Sequence, residues 1–281
     1  MKNLVINPVL NKEFKLRFRT FKSFLGIFFY LLALGILIIG FVFIQSLSNN
    51  QGYFKPDQSK DMFMILSVLQ LALILFITPG LTAGVISSER ERQTLNMMLT
   101  TTQSSTSIIL SKLISSISFL LLLIIASLPL YSIVFLFGGI SPGQVLMTIG
   151  FYTFTIITYG SLGVLFSTLI RKTVVAMVTT YGVTLFLAGG TAFLTLILMQ
   201  LNQGFYNPAA GTTNPLPYFT AMLNPPIVLL GTFQPEITKE LMRGTGIDFP
   251  IWISFLISNT VIMVGAVVLS IIKLRPNMKR G

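Results

Sequence analysis

The sequence predicts an all-α polytopic membrane protein with six transmembrane helices. Three observations predict it: six long apolar runs, a scarcity of charge, and a concentration of Lys and Arg on alternate connections. The runs cover about residues 23–44, 62–86, 107–137, 145–170, 173–199 and 250–272. Each reaches the roughly 20 residues that a helix rising about 1.5 Å per residue needs to cross a hydrocarbon layer of about 30 Å. Charged residues make up 10% of the 281-residue chain and hydrophobic residues 53%, whereas a soluble domain is about 25% charged. The stretch 116–137 has no charge at all, so no polar face turns to water.

Ahead of the first run stands a basic leader. Asn7-Pro8 is a plausible helix start, with Asn as N-cap and Pro in the first helical position. Beyond it Leu10, Phe14, Phe18 and Phe21 fall within an arc of about 80°, with Lys12, Lys15, Arg19 and Lys22 opposite and Arg17 out of pattern. That stripe suits an amphipathic helix lying along the cytoplasmic membrane face among lipid headgroups; a leader that only sets topology is the alternative. The run after it is too long for the 7–15-residue apolar core of a cleavable signal and is expected to stay as a span.

Topology follows from the cations. Lys2, Lys12, Lys15, Arg17, Arg19 and Lys22, then Arg90, Arg92 and Lys112, then Arg171 and Lys172, then Lys273, Arg275, Lys279 and Arg280 fall on one side. Only Lys55, Lys60, Lys239 and Arg243 fall on the other. The positive-inside bias therefore places both termini in the cytoplasm. The same bias accounts for the net charge of +11 without a nucleic-acid partner.

Between the second and third runs, Ser87-Ser88-Glu89-Arg90-Glu91-Arg92-Gln93-Thr94-Leu95-Asn96-Met97-Met98-Leu99 reads as a short amphipathic helix. Serines stand at its cap, acids in its first turn, and Leu95, Met98 and Leu99 at i, i+3, i+4. It serves equally as a connector or as a docking surface. Lys112, just inside the third run, either pairs with a carboxylate or snorkels to the headgroups. Pro79-Gly80 is expected to kink or loosen the second span, as a gating hinge or a packing kink. Gly160, Gly163, Gly189 and Gly190 are expected to admit close helix contacts. The third and fourth runs meet at the turn Gly138 to Gly143, and Arg171-Lys172 alone separates the fourth and fifth. The outer segment 200–249 carries Asn207-Pro208, Asn214-Pro215-Leu216-Pro217 and Asn224-Pro225-Pro226. It is expected to form a structured cap with short helices dipping to the interface, a loose loop being the alternative.

In this order a basic leader, two spans, a Glu-Arg-Glu-Arg-Gln-Thr-Leu helix ending in Met-Leu and a Lys early in the third span resemble permease subunits of type-two ATP-binding-cassette exporters. Glu89, Glu91, Thr94, Leu95, Leu99 and Lys112 carry the match. Gln93 stands where that family commonly has Gly, and Thr101-Thr102-Gln103 lacks its frequent Pro. The resemblance implies a single transmembrane domain over 1–281, in which 1–22 is a connecting helix bearing Leu10, Phe14, Phe18 and Phe21. It makes 87–106 a coupling region in which Glu89, Glu91, Arg92, Thr94, Leu95, Met98 and Leu99 meet a separate ATPase subunit. It makes 200–249 an outer re-entrant cap. It further implies a second permease copy or paralogue, a prokaryotic plasma-membrane setting, and ATP with Mg held by the partner ATPase rather than by this chain.

The sequence agrees in what it lacks. No Gly-x-x-x-x-Gly-Lys-Ser/Thr loop is present to cradle phosphates, and neither Cys nor His occurs, so no cofactor is expected in this chain and enzymatic chemistry is disfavoured. An ion-coupled carrier or channel would place ionisable groups near the membrane midplane, and none is visible. A non-transporting membrane scaffold stays open. The charge-poor spans favour an apolar or amphipathic cargo such as a lipid, a peptide or an antimicrobial compound.

Overall fold

Among the residues described by the computed structural model (18, 21–48, 56–95, 104–136, 140–205 and 214–274), regular structure is helical throughout, and six helices are long and apolar enough to cross a membrane. In chain order these are α1 (Phe21–Ser48), α2 (Pro56–Thr82), the short α3 (Ser87–Glu91), α4 (Ser105–Leu136) and α5 (Pro142–Leu169). A fifth span follows, made of α6 (Thr173–Leu185), a π turn (Phe186–Gly190) and α7 (Thr191–Phe205). Three short helices, α8 (Leu216–Ala221), α9 (Pro225–Phe233) and α10 (Pro235–Thr245), lead to the last span, α11 (Ile251–Leu274). One end of the bundle carries α3; the other carries the cap of α8 to α10.

Burial separates the spans into two groups. The most apolar windows of α2, α4 and α5 are 56%, 61% and 61% buried, whereas those of α1, the fifth span and α11 are 17%, 17% and 22% buried. The first three therefore form the centre and the others a shell with broad exposed apolar faces. α5 packs on α2, α4, α6 and α11. Its inner face is built from small and hydroxyl residues, Thr155, Thr158, Gly160, Ser161 and Gly163, all buried. These hydroxyls return to the helix's own carbonyls, as Thr155 does to Phe151 at 2.8 Å and Ser161 to Thr158 at 2.6 Å, so they are satisfied without water. Gly163 sits against α2 so closely that a Cβ there would lie 2.7 Å from Thr82 Cβ. This is the close contact the sequence anticipates for a small residue.

Gly189 and Gly190 behave differently. They close the π turn, and a Cβ on Gly190 would meet Phe186 of the same turn at 2.8 Å, not a neighbouring helix. Their expected role in helix contact is corrected to a local one. Pro79 lies inside α2, which continues to Thr82 before the chain loosens into a turn at 83–86. Gly80 leaves room for the Tyr181 hydroxyl, which would be 2.8 Å from a Cβ at that position.

The cap is re-entrant. α8 runs inward beside the fifth span and α11, with Thr195 and Thr220 hydroxyls 2.8 Å apart and the Tyr218 hydroxyl donating to Phe249 O at 2.9 Å. The chain reverses at Met222–Asn224, and α9 runs back out. Asn224 is fully buried and caps α9 by accepting from Ile227 N at 2.8 Å. Its Nδ2 donates to Ala188 O at 2.5 Å and Thr191 Oγ1 at 2.9 Å. A π turn displaces carbonyls from their usual helical donors, and Asn224 supplies a replacement. Ala188 precedes Leu201, where the apolar span ends, by about 20 Å at the usual helical rise, so the cap dips deeper than the interface. α10 then lies across the cap with Leu241 inward and Glu236, Lys239, Glu240 and Arg243 exposed. Gly246, at φ 69°, ends it, a left-handed conformation that suits glycine.

Candidate functional site

The elbow where α2 turns into α3 gathers most of the described polar residues singled out by sequence. α3 begins without a local side-chain cap, and the missing partner comes from α5. Ser167 Oγ accepts from Ile86 N at 2.8 Å and Ser87 N at 3.0 Å. Such a hydroxyl satisfies donors that every helix start leaves free.

Three charged side chains of α3 then reach three different places. Glu89 Oε1 lies 3.3 Å from Lys112 Nζ on α4, and its other oxygen accepts from the Thr94 hydroxyl. Arg90 donates to Thr168 O at 3.0 Å, meeting the carbonyl-rich end of α5, where the helix dipole favours a cation. Glu91 accepts from Thr173 N at 2.9 Å and Thr173 Oγ1 at 2.7 Å, placing an anion on the first N–H of α6, where the dipole favours it. Together Arg90 and Glu91 span the short step between α5 and α6.

The charges respond accordingly. The Thr173 hydroxyl and backbone N–H hold the Glu91 carboxyl below its ordinary value, with Lys172 adding to the effect. Partial burial, and then the nearby Arg171, lower the Arg90 guanidinium from its ordinary value.

The expected continuous helix is interrupted. α3 ends at Glu91, and Gln93 takes φ 58°, a left-handed conformation that non-glycine residues seldom adopt. The bend brings Leu95 back against the bundle, where it is buried with Ile86, Ile108, Ile109, Leu113 and Leu274. Arg92, Gln93 and Thr94 are left exposed at the tip. Met98 and Leu99 lie outside the described residues, as do Leu10 and Phe14. Of the leader stripe, Phe18 packs on Phe119 of α4 with ring centroids 6.1 Å apart, whereas Phe21 is 79% exposed.

Sequence reasoning did not find Ser167, Thr168 or Thr173 as partners of the elbow, and it used Arg90 only for topology. Nothing in local spacing marks them, since each bond crosses some eighty residues of chain. It also missed a buried polar chain in the bundle. Gln70 donates to Ser127 at 3.0 Å, Tyr131 donates to Gln70, and Tyr152 donates to Ser67 O at 2.8 Å. Among the described residues no group of three or more Asp, Glu, His or Cys side chains is placed to hold a metal ion.

A cavity of about 370 Å³ lies between α2 and α6, lined by Val68, Leu75, Phe76, Tyr181 and Leu185 and bounded by Pro226 of the re-entrant cap. It is apolar, is bordered by the exposed Phe76 and Leu185, and begins one helical turn from Pro79 and Gly80.

A six-span bundle with a polar elbow at one end and a re-entrant cap at the other defines a polytopic membrane protein. A family model described as ABC-2 family transporter protein matches residues 8–272, and the chain belongs to that family. It is a membrane permease component of an ABC transporter, a class that generally works with an ABC ATPase. A comparison with curated proteins finds no match.

Proposed function

We propose that this chain is one half of the membrane-spanning part of an ATP-driven exporter, with the α3 end and both termini in the cytoplasm of a plasma membrane. A separate ATP-binding-cassette ATPase, which binds ATP and Mg, seats on the tip at Arg92–Thr94, and a second copy or a paralogue completes the permease. The observation that carries this reading is the division of labour in the elbow: Glu89, Arg90, Glu91 and Leu95 are engaged by α4, α5, α6 and the core, while the tip stays exposed.

Such an elbow transmits displacement. A push on Arg92–Thr94 moves α3, and the bonds to Lys112, Ser167, Thr168 and Thr173 carry α4, α5 and α6 with it. Packed elements of this kind shift as rigid bodies about a few yielding positions. Pro79 lacks the N–H that would bond its own helix, so α2 yields most readily at Pro79-Gly80 and in the turn after it. The cavity between α2 and α6 then changes its access. Its apolar lining supports an apolar or amphipathic cargo, such as a lipid, a peptide or an antimicrobial compound.

Copurification from native membranes tests the partner: wild type recovers an ATP-binding-cassette ATPase, and Arg92→Glu loses it while the permease stays in the membrane. Recovery of no such ATPase with wild type contradicts the proposal. Because the chain has no cysteine, orientation is read separately. A membrane-impermeant thiol reagent labels Lys239→Cys in intact cells and Arg92→Cys only after permeabilisation; the reverse pattern refutes the topology.

A further inference from the structure

The cap end holds two cavities that adjoin. One, of about 230 Å³, is an apolar groove between α5 and α11 beneath α9, lined among others by Met147, Phe151, Phe154, Leu229, Trp252 and Phe255. Phe255 forms its floor, stacked on Phe151 at 5.2 Å and edge-on to Phe154 at 5.9 Å. The other, of about 180 Å³, is polar and lined by Lys60, Asp61, Gln144 and Gln234. Gln144 and Phe233 line both, so the two share a boundary.

We propose that they form one binding site for a phospholipid whose headgroup carries both a phosphate and a primary ammonium. The acyl chain occupies the groove. From Gln144 to Phe154 the α5 wall of the groove runs about 15 Å at the helical rise, which is the depth of one leaflet's hydrocarbon. The headgroup occupies the polar cavity, where adjacent side chains of opposite charge match a zwitterion. The Lys60 ammonium takes the phosphate through charge-assisted hydrogen bonds, and the Asp61 carboxylate takes the primary ammonium. A headgroup with net negative charge would meet Asp61 unfavourably, and a quaternary ammonium has no N–H to donate to it. The site shares no residue with the cavity between α2 and α6. With cargo assigned to that cavity under the proposed function, the occupant here is a resident lipid. The site rests on the proposed topology only in assigning that lipid to the outer leaflet, and it survives if that topology fails.

Trp252 is the only tryptophan in the chain, and it lines the groove. Purified permease is reconstituted in phosphatidylcholine vesicles containing a minor fraction of brominated phosphatidylethanolamine, phosphatidylglycerol or phosphatidylcholine, and quenching of Trp252 fluorescence is read. Brominated phosphatidylethanolamine is expected to compete for the tryptophan at least about threefold better than the other two, a preference near 0.65 kcal/mol. Gly150 lines the groove, and a Cβ added there meets nothing within 4 Å, so Gly150→Leu fills the groove without a clash at its Cβ. It is expected to abolish the preference, as is Lys60→Ala with Asp61→Ala. Equal quenching by all three lipids in the wild type overturns the site. A preference that survives the Lys60 and Asp61 changes overturns the headgroup assignment, and one that survives Gly150→Leu overturns the groove. Vesicles expose both leaflets to the brominated lipid, so the result is independent of orientation in the cell.

Discussion

Lys112 and Glu89 stand 3.3 Å apart across the elbow, with the lysine side chain 3% exposed and the glutamate 27%. The pair joins α3 to α4. Removing one partner from a pair with a buried cation costs about 3–5 kcal/mol when the remaining charge cannot reach water, whereas replacing both is often close to neutral. Glu89→Gln is therefore expected to destabilise the permease by about 2–3 kcal/mol, because the amide oxygen that replaces the carboxylate still accepts from Lys112. Lys112→Met combined with Glu89→Gln is expected to recover more than half of that loss. Thermal unfolding of the single and double variants in detergent measures the coupling; additive losses would show that the pair does not act as a unit.

Glu91 ties the elbow to α6 through Thr173, and its carboxyl is held below the ordinary value of 4.5. A carboxylate with a depressed folded-state value contributes stability that is present above its unfolded value and is lost as pH falls through the folded one. The difference in unfolding temperature between wild type and Glu91→Gln should thus be constant from neutral pH down to about 5 and shrink below about 4.5. A difference that grows on acidification would contradict the assignment.

Gln93 occupies a left-handed conformation at φ 58°. Glycine adopts it without the clash between Cβ and the carbonyl, so Gln93→Gly is expected to stabilise the protein by about 0.5–1 kcal/mol. Gln93→Val, whose branched side chain tolerates that region worst, should destabilise it. Denaturation of the two variants beside wild type gives the order; a valine variant as stable as the glycine one would argue for an ordinary helical residue.

Asn224 performs two tasks that substitution can separate. Asn224→Ala loses the cap on α9 and leaves the π-turn carbonyl of Ala188 without its donor, for an expected loss of about 2–4 kcal/mol. Asn224→Asp keeps the acceptor for Ile227 but cannot donate, so it should be nearly as harmful as alanine. If aspartate restores wild-type stability, the cap alone matters and the link to the fifth span does not.

Much of this was legible in the sequence because a bilayer imposes simple constraints. Span lengths, the position of the elbow and the punctuation of the cap by Asn224-Pro225-Pro226 follow from apolar run length and from residues that start helices. Lys112 was legible as one of two outcomes, and the structure selects its pairing with Glu89. The sequence did not disclose the π turn, because Gly189-Gly190 reads equally as a packing surface until Asn224 arrives from more than thirty residues away. The break at Gln93 was hidden for a related reason. Leu95 fits a helical repeat with Met98 and Leu99, and only its burial against α4 and α11 shows the chain bending to reach the core. Bonds such as Ser167 to Ser87 or Gln70 to Ser127 join residues with no spacing in common, so no local pattern could announce them.

Under the proposed function, the exposed tip of the elbow is the surface on which the ATPase sits. A photo-crosslinking amino acid introduced at Arg92, with the same group at Val174 on the exposed face of α6 as control, tests it in native membranes. Position 92 is expected to crosslink to an ATP-binding-cassette ATPase subunit and position 174 is not. An intact complex that copurifies with the ATPase yet yields no crosslink from position 92 would contradict it.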